Sequence, residues 1–323
     1  MLRSSLLALL LSVAGVGPAL SASCGVQLGP NANLDGARPF PGSNPWNADV
    51  SRLPADPRSK AIIARIGAND YLHPDFGAGR YEGSRIGIPY VVVPEGQSRV
   101  TVRFTDWPHE SDPGPYPIPP NAPVEGEGGW AGPYDRHVIV VQRDSSRPGC
   151  LGRLYELFNA RKVGNRWEAS NGAIFDLASN ALRPVGWTSA DAAGLPIFPG
   201  LVRYDEVASG EIRHALRVTV PATRRAYVHP ARHIASDDPH PHLPPMGTRL
   251  RLRADFDVSK FPKRSQVILR ALKRYGMIVA DHGAPWFISG TPDDRWNNDE
   301  LLALRRVKGR DFEVVQMGAV ITR

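Results

Sequence analysis

Short runs in which apolar and polar residues alternate fill the middle of the chain, and each run is closed by Gly, Pro, Asn or Asp. "IGIPYVVVP", "SRVTVRF", "RHVIVVQ", "RLYELFNARKV", "GAIFDL", "EIRHALRVTV", "RAYVHP" and "TRLRLRADF" each read as a strand. Helical spacing is scarce before the C-terminal part. "RSKAIIARIG" puts Ala61, Ile62 and Ile66 on one face and stops at Gly67; "SQVILRALKRYG" puts Ile268, Ala271, Leu272 and Tyr275 on one stripe, with Ser265 as N-cap and Gly276 as stop. Then "MIVAD" and "WFISG" read as strands and "DELLALRRVKG" as a last helix ending at Gly309. The pattern predicts a mainly β fold, an antiparallel jelly-roll-like β-sandwich with a few short helices, mostly C-terminal. No Ser/Gly-rich or charged linker sets the last helix–strand–helix portion apart, so residues 24–323 are expected to form a single domain.

The first residues change the picture. "MLRSSLLALLLSVAGVGPALSAS" has a basic start, an apolar run and small residues at its end, the anatomy of a secretory signal over residues 1–23. A secreted or periplasmic protein is expected, and no later segment is apolar for long enough to span a bilayer. In an oxidising compartment Cys24 and Cys150 could form one disulfide; two free thiols are the other reading. The net charge of +7 favours an acidic partner such as an anionic polysaccharide or cell-wall polymer. Nucleic acid is not expected, because no recognised binding motif accompanies the charge.

Candidate chemistry falls in three places. The aperiodic stretch between Phe104 and Asp135 carries Trp107, Tyr116, Trp130, Asp112, Glu125 and Glu127, a mixture suited to the rim of a sugar groove or to a Pro-rich wrap over a sheet edge. Trp130, Trp187 and Glu125 are therefore candidate substrate-binding residues, joined by Arg249 and Arg251 of "RLRLR", whose alternation aligns guanidinium groups on one strand face. The segment Gly186–Arg217 gathers acids around His214, which strand alternation places with apolar residues, as a core histidine or a desolvated base. Asp191 fits a capping box in "TSAD", and Asp205 and Glu206 begin a short helical turn.

Asp176 shares a strand phase with Ile174 and needs a partner, either Arg183 or Arg203, or a carboxylate pairing with Glu206. In a lyase, His214 or Tyr204 would take a proton while Arg203 neutralises a uronate. In a hydrolase, Asp176 and Glu206 would divide the acid and nucleophile or base roles. Asp191 completes the candidate catalytic set. The stretch "VHPARHIASDDPHPH" offers His229, His233 and Asp237 to a metal, but Pro230 argues against a helical His-x-x-x-His arrangement and no metal is expected. No phosphate-binding glycine loop, GxSxG or HExxH occurs, and no cofactor is called for.

The segments "PIPPNAPVEG", "LYELFNA", "GWTSADAAGLPIFPGLVRYDEV", "GEIRHALR" and "LRALKRYGMIVAD" resemble a widespread family of exported bacterial proteins of uncharacterised activity, over about Phe40 to Val315. "DHGAPWF" stands here where that family more usually has Asp-Asn-Gly-Ser, and His240 to His242 lie outside its pattern. The resemblance implies export and supplies no reaction. The expected function is an exported carbohydrate-active enzyme, a glycoside hydrolase or polysaccharide lyase, working as a monomer on an extracellular polysaccharide. Non-catalytic polysaccharide binding is the alternative from another class, and a metal-dependent hydrolase the third.

Overall fold

Two large sheets carry the fold, in a computed structural model that describes residues 24–127, 134–164 and 166–322. The expected signal segment and Trp130 lie outside the described residues. The chain is mainly β, with short helices between and after its strands. In the first sheet the strands lie in the order Gly29–Pro30, Tyr90–Val93, Val138–Arg143, Leu151–Phe158, Asn171–Asp176. Its middle strands are covered on both faces. Tyr90, Val92, Ile139, Val141 and Leu154 enter the main core, while Val91, Val93, Val138, Val140 and Leu157 enter a second cluster. That second cluster lies against a three-stranded sheet built from Val102–Phe104, Arg166–Ala169 and Arg161–Val163. Two-sided burial is why "YVVV" and "VIVV" are unbroken apolar runs.

The second sheet has the order Phe312–Val314, Arg249–Leu252, Met277–His282, Leu216–Val220, Phe287–Ser289, His73–Asp75. Its apolar residues share the main core with the first sheet. Most neighbours run antiparallel, as expected, but among the described strands four pairs run parallel: Tyr90–Val93 with Val138–Arg143, Val102–Phe104 with Arg166–Ala169, Leu216–Val220 with Met277–His282, and Phe287–Ser289 with His73–Asp75. Parallel neighbours need a long crossover, and the helix Lys263–Arg274 supplies part of one just before Met277.

The helix Ser59–Ile66 buries Ile62, Ile63 and Ile66 and stops at Gly67, as its spacing predicts. The helix Lys263–Arg274 begins before Ser265, with Pro262 as its cap residue; the Ser265 hydroxyl is not a cap and donates to the Glu300 carbonyl. Gly276 then turns the chain at φ 67°, where an added Cβ would stand 2.3 Å from the Leu250 carbonyl oxygen. "EIRHALRVTV" pairs only over Leu216–Val220, because the Ala215 N–H bonds Trp46 instead of a strand neighbour.

Cys24 and Cys150 are bridged across 126 residues, fastening the N-terminal arm to the start of Leu151–Phe158. Closing so long a loop restricts the unfolded chain. The Cys24→Ser/Cys150→Ser protein is expected to lose about 2–4 kcal/mol of stability. Urea unfolding of the two proteins checks this; coincident midpoints would show that the bridge contributes nothing.

Candidate functional site

At the edge of the second sheet, where His73–Asp75 lies beside Phe287–Ser289, a cavity of about 520 Å³ opens. Phe76, Tyr81, Tyr134 and Phe287 give it aromatic walls, and Asp75 and Glu125 give it two carboxylates. Pro74 is tolerated because this strand is the outermost of its sheet. Asp75 is in register with Ser289 at the strand end. Asp75 is exposed to solvent on the cavity side, with protein atoms crowded around the rest of its carboxyl group. That crowding, with the negative charges of Glu125 and Asp135, raises its pKa above the ordinary aspartate value, against a smaller opposing pull from Arg217.

Glu125 is set the other way. Its Oε2 accepts from the His137 ring Nδ1 at 2.6 Å and from the His137 backbone N–H at 3.3 Å. Burial alone would raise the Glu125 pKa, but the His137 charge and these hydrogen bonds outweigh it and hold it low. The other ring nitrogen of His137, Nε2, lies 3.1 Å from the Ala190 carbonyl oxygen, so both nitrogens face acceptors and the ring carries both protons. Burial opposes that charge, yet Glu125 raises the His137 pKa to about 9. Glu125 is thus an anion backed by a buried imidazolium.

Behind the cavity Arg217 is almost wholly enclosed. Its Nε and Nη2 donate to the two oxygens of Asp191 at 2.9 and 2.8 Å, Nη2 also donates to Asp281 at 2.9 Å, and Nη1 donates to Ser289 Oγ at 2.8 Å. Burial and the neighbouring Asp191 charge push the Asp281 pKa well above the ordinary aspartate range, against the opposing charge of Arg217. Glu156, fully buried nearby, accepts the N–H groups of Ile197 and Phe198, and burial raises it to about 7.

Of the described residues singled out from the sequence, only Glu125 lines this cavity. Asp176 pairs with Arg147, not with Arg183 or Arg203, and bonds the Ala178 N–H. The expected capping box at Asp191 is absent: residues 186–194 form turns without a helix, and the Asp191 carboxylate is taken by Arg217. Asp205 does satisfy a backbone donor, that of Leu34 at 3.1 Å in a different segment. Arg203, Glu206 and His214 are brought together, with Arg203 Nη2 2.6 Å from Glu206 Oε1 and His214 Nε2 3.1 Å from Glu206 Oε2. Burial pushes Glu206 up, and the Arg203 and His214 charges more than offset it.

Tyr204 packs edge-on against Trp296 with Arg295 over its ring. Trp187 lies under Arg183, away from the cavity. Arg249 and Arg251 brace the N-terminal segment: Arg249 donates to the Pro45 and Tyr275 carbonyls, and Arg251 pairs with Glu313 and donates to those of Val50 and Leu53. His233 Nδ1 faces the Ala192 carbonyl, and among the described residues no group of three or more His, Cys, Asp or Glu is placed to hold a metal. No described helix is long and apolar enough to cross a membrane. No family model, curated protein or solved structure matches the chain.

Proposed function

We propose that the protein is an exported glycoside hydrolase acting on an extracellular polysaccharide, with Asp75 as general acid and Glu125 as its ionised partner. The observation that carries this is one cavity holding two carboxylates whose environments push their pKa values apart. Asp75 would give its proton to the departing glycosidic oxygen. Glu125 would attack the anomeric carbon or deprotonate the attacking water. The aromatic walls suit stacking on sugar rings, and the disulfide fits an oxidising compartment outside the cytoplasm. We place the pair here and not at Asp176 and Glu206 because neither of those lines the cavity. The resemblance to exported bacterial proteins supports the same location, secreted or periplasmic.

The test is incubation of the mature protein with neutral and anionic polysaccharides, following reducing ends and unsaturated-uronate absorbance together. Reducing ends without absorbance are expected. Both signals together would replace hydrolysis by elimination, and silence with polymer retained in a pull-down would make the protein a binder. Activity requires Asp75 protonated and Glu125 ionised, a state lying between the lowered Glu125 pKa and the raised Asp75 pKa. The expected kcat/KM profile is a bell whose acid limb falls below the ordinary glutamate range and whose alkaline limb falls above the ordinary aspartate range. A profile without an alkaline limb in that region would remove Asp75 from the role of acid.

A further inference from the structure

The cavity also holds positive charge for which no acid accounts. Arg305, in the short 3-10 turn Ala303–Arg306, is half-buried on its wall. Its Nη2 donates to His73 Nδ1 at 3.0 Å, and its Nε is buried without any acceptor. Among the described residues it makes no salt bridge. Among the described residues no hydrogen bond or ion pair joins Arg305 to Asp75 or Glu125. Neither is His73 a second cation: burial and Arg305 lower its pKa to about 4, leaving it a neutral acceptor that orients the guanidinium. The guanidinium rests over the Tyr71 ring, 5.2 Å from its centroid, and has no carboxylate partner among the described residues, so an incoming anion would supply its missing counter-charge.

The arginine has a defined place relative to the chemistry. His73 and Asp75 are two positions apart on one strand and face the same cavity, a spacing of roughly 6.5 Å. Arg85, whose Nε is likewise buried and unpartnered, lines the cavity too, but its Nη atoms are committed to Asp294. With Asp75 and Glu125 close by, a doubly charged phosphate would be repelled, whereas one carboxylate matches the planar fork of Arg305.

We propose that Arg305 forms an anion subsite that binds the carboxylate of an acidic sugar beside the cleaved bond, making the substrate a carboxylated glycan. This rests on the hydrolase reading for its position in a reaction, and on Arg305 alone for its ligand. A sugar carboxylate comes from a uronic acid ring or from a lactyl ether on an amino sugar. Both sources supply the same chemistry.

Binding is measured by calorimetry on Asp75→Asn protein, which holds substrate without cleaving it, and on the same protein carrying Arg305→Gln or Arg305→Lys. The probes are polygalacturonate oligomers, their methyl esters, and peptidoglycan glycan strands freed of peptide. The expected result is that one carboxylated probe binds, that its methyl ester or reduced form binds at least about tenfold more weakly, and that Arg305→Gln loses a similar factor. Arg305→Lys, which keeps the charge, is expected to recover part of it and guards against a misfolded Gln variant. Which acidic probe responds identifies the source of the carboxylate. Equal affinity for acid and ester, indifference to Arg305→Gln, or no binding of any carboxylated probe would each overturn the subsite.

Turnover by the unsubstituted protein, measured in parallel, separates the two proposals. Cleavage of neutral glycans that survives Arg305→Gln keeps the hydrolase and removes the subsite. Binding that depends on Arg305 without any cleavage keeps the subsite and removes the hydrolase.

Discussion

Arg217→Met is expected to remove about 3–5 kcal/mol of folding stability, because it strands a buried carboxylate. The Asp191 side chain is fully enclosed, and both of its oxygens are held by Arg217. Methionine fills much of the volume but leaves the Asp191 carboxylate without its counter-charge in a low-dielectric interior. Asp281 suffers less, since its side chain keeps some contact with solvent. In a chain of this length the loss corresponds to a melting temperature lower by roughly 10 °C. A double substitution sharpens the result. Asp191→Leu/Arg217→Met, which removes both charges, should recover much of the loss. A single substitution costing less than about 1 kcal/mol would mean that the ion pair is not enclosed as described.

Glu125→Gln is expected to reduce turnover about 10²–10⁴-fold, the range of a lost acid–base group, while the protein stays folded. The amide oxygen of glutamine can still accept the His137 Nδ1 proton, so the hydrogen bond survives and only the negative charge goes. The charge is what raises His137 to about 9. Its loss should therefore lower the His137 pKa, a change visible in the ring proton resonances. Asp75→Asn should be equally inactive and leave His137 nearly untouched, because Asp75 does not bond it. Asp176→Asn, at the surface pair with Arg147, is the control that should keep full activity. Glu125→Gln protein that turns over at the parental rate would exclude Glu125 from the chemistry.

The strands of the middle and the helix stop at Gly67 were legible because local spacing alone dictates them. The Cys24–Cys150 bridge was one of the two readings that an even cysteine count behind a signal-like segment left open. Parallel pairing was not, since register between distant strands leaves no local mark: nothing in "HPD" announces a strand, yet His73–Asp75 closes the second sheet. Asp75 was missed for that reason. Glu125 was visible as an acid in an aromatic loop, but nothing local tied it to His137, the residue just ahead of the strand Val138–Arg143. Arg217 offered a signal that went unused: a cation inside "LRVTV" must find an anion from elsewhere, and that anion was Asp191, which local pattern had assigned to a cap. His214, by contrast, was rightly placed among buried neighbours, with its function left open.

One consequence concerns the order in which the chain is made. Among the described residues the strand carrying Asp75 pairs only with Phe287–Ser289, and His73 meets Arg305 across 232 residues of sequence. During synthesis both proposed catalytic carboxylates therefore emerge long before the segment that walls them in. A nascent chain stopped short of residue 287 would contain Asp75 and Glu125 but no cavity around them. Under the proposed hydrolase reading, an unfinished chain of that length would carry both acids without the walls that set them, and would turn over no glycan.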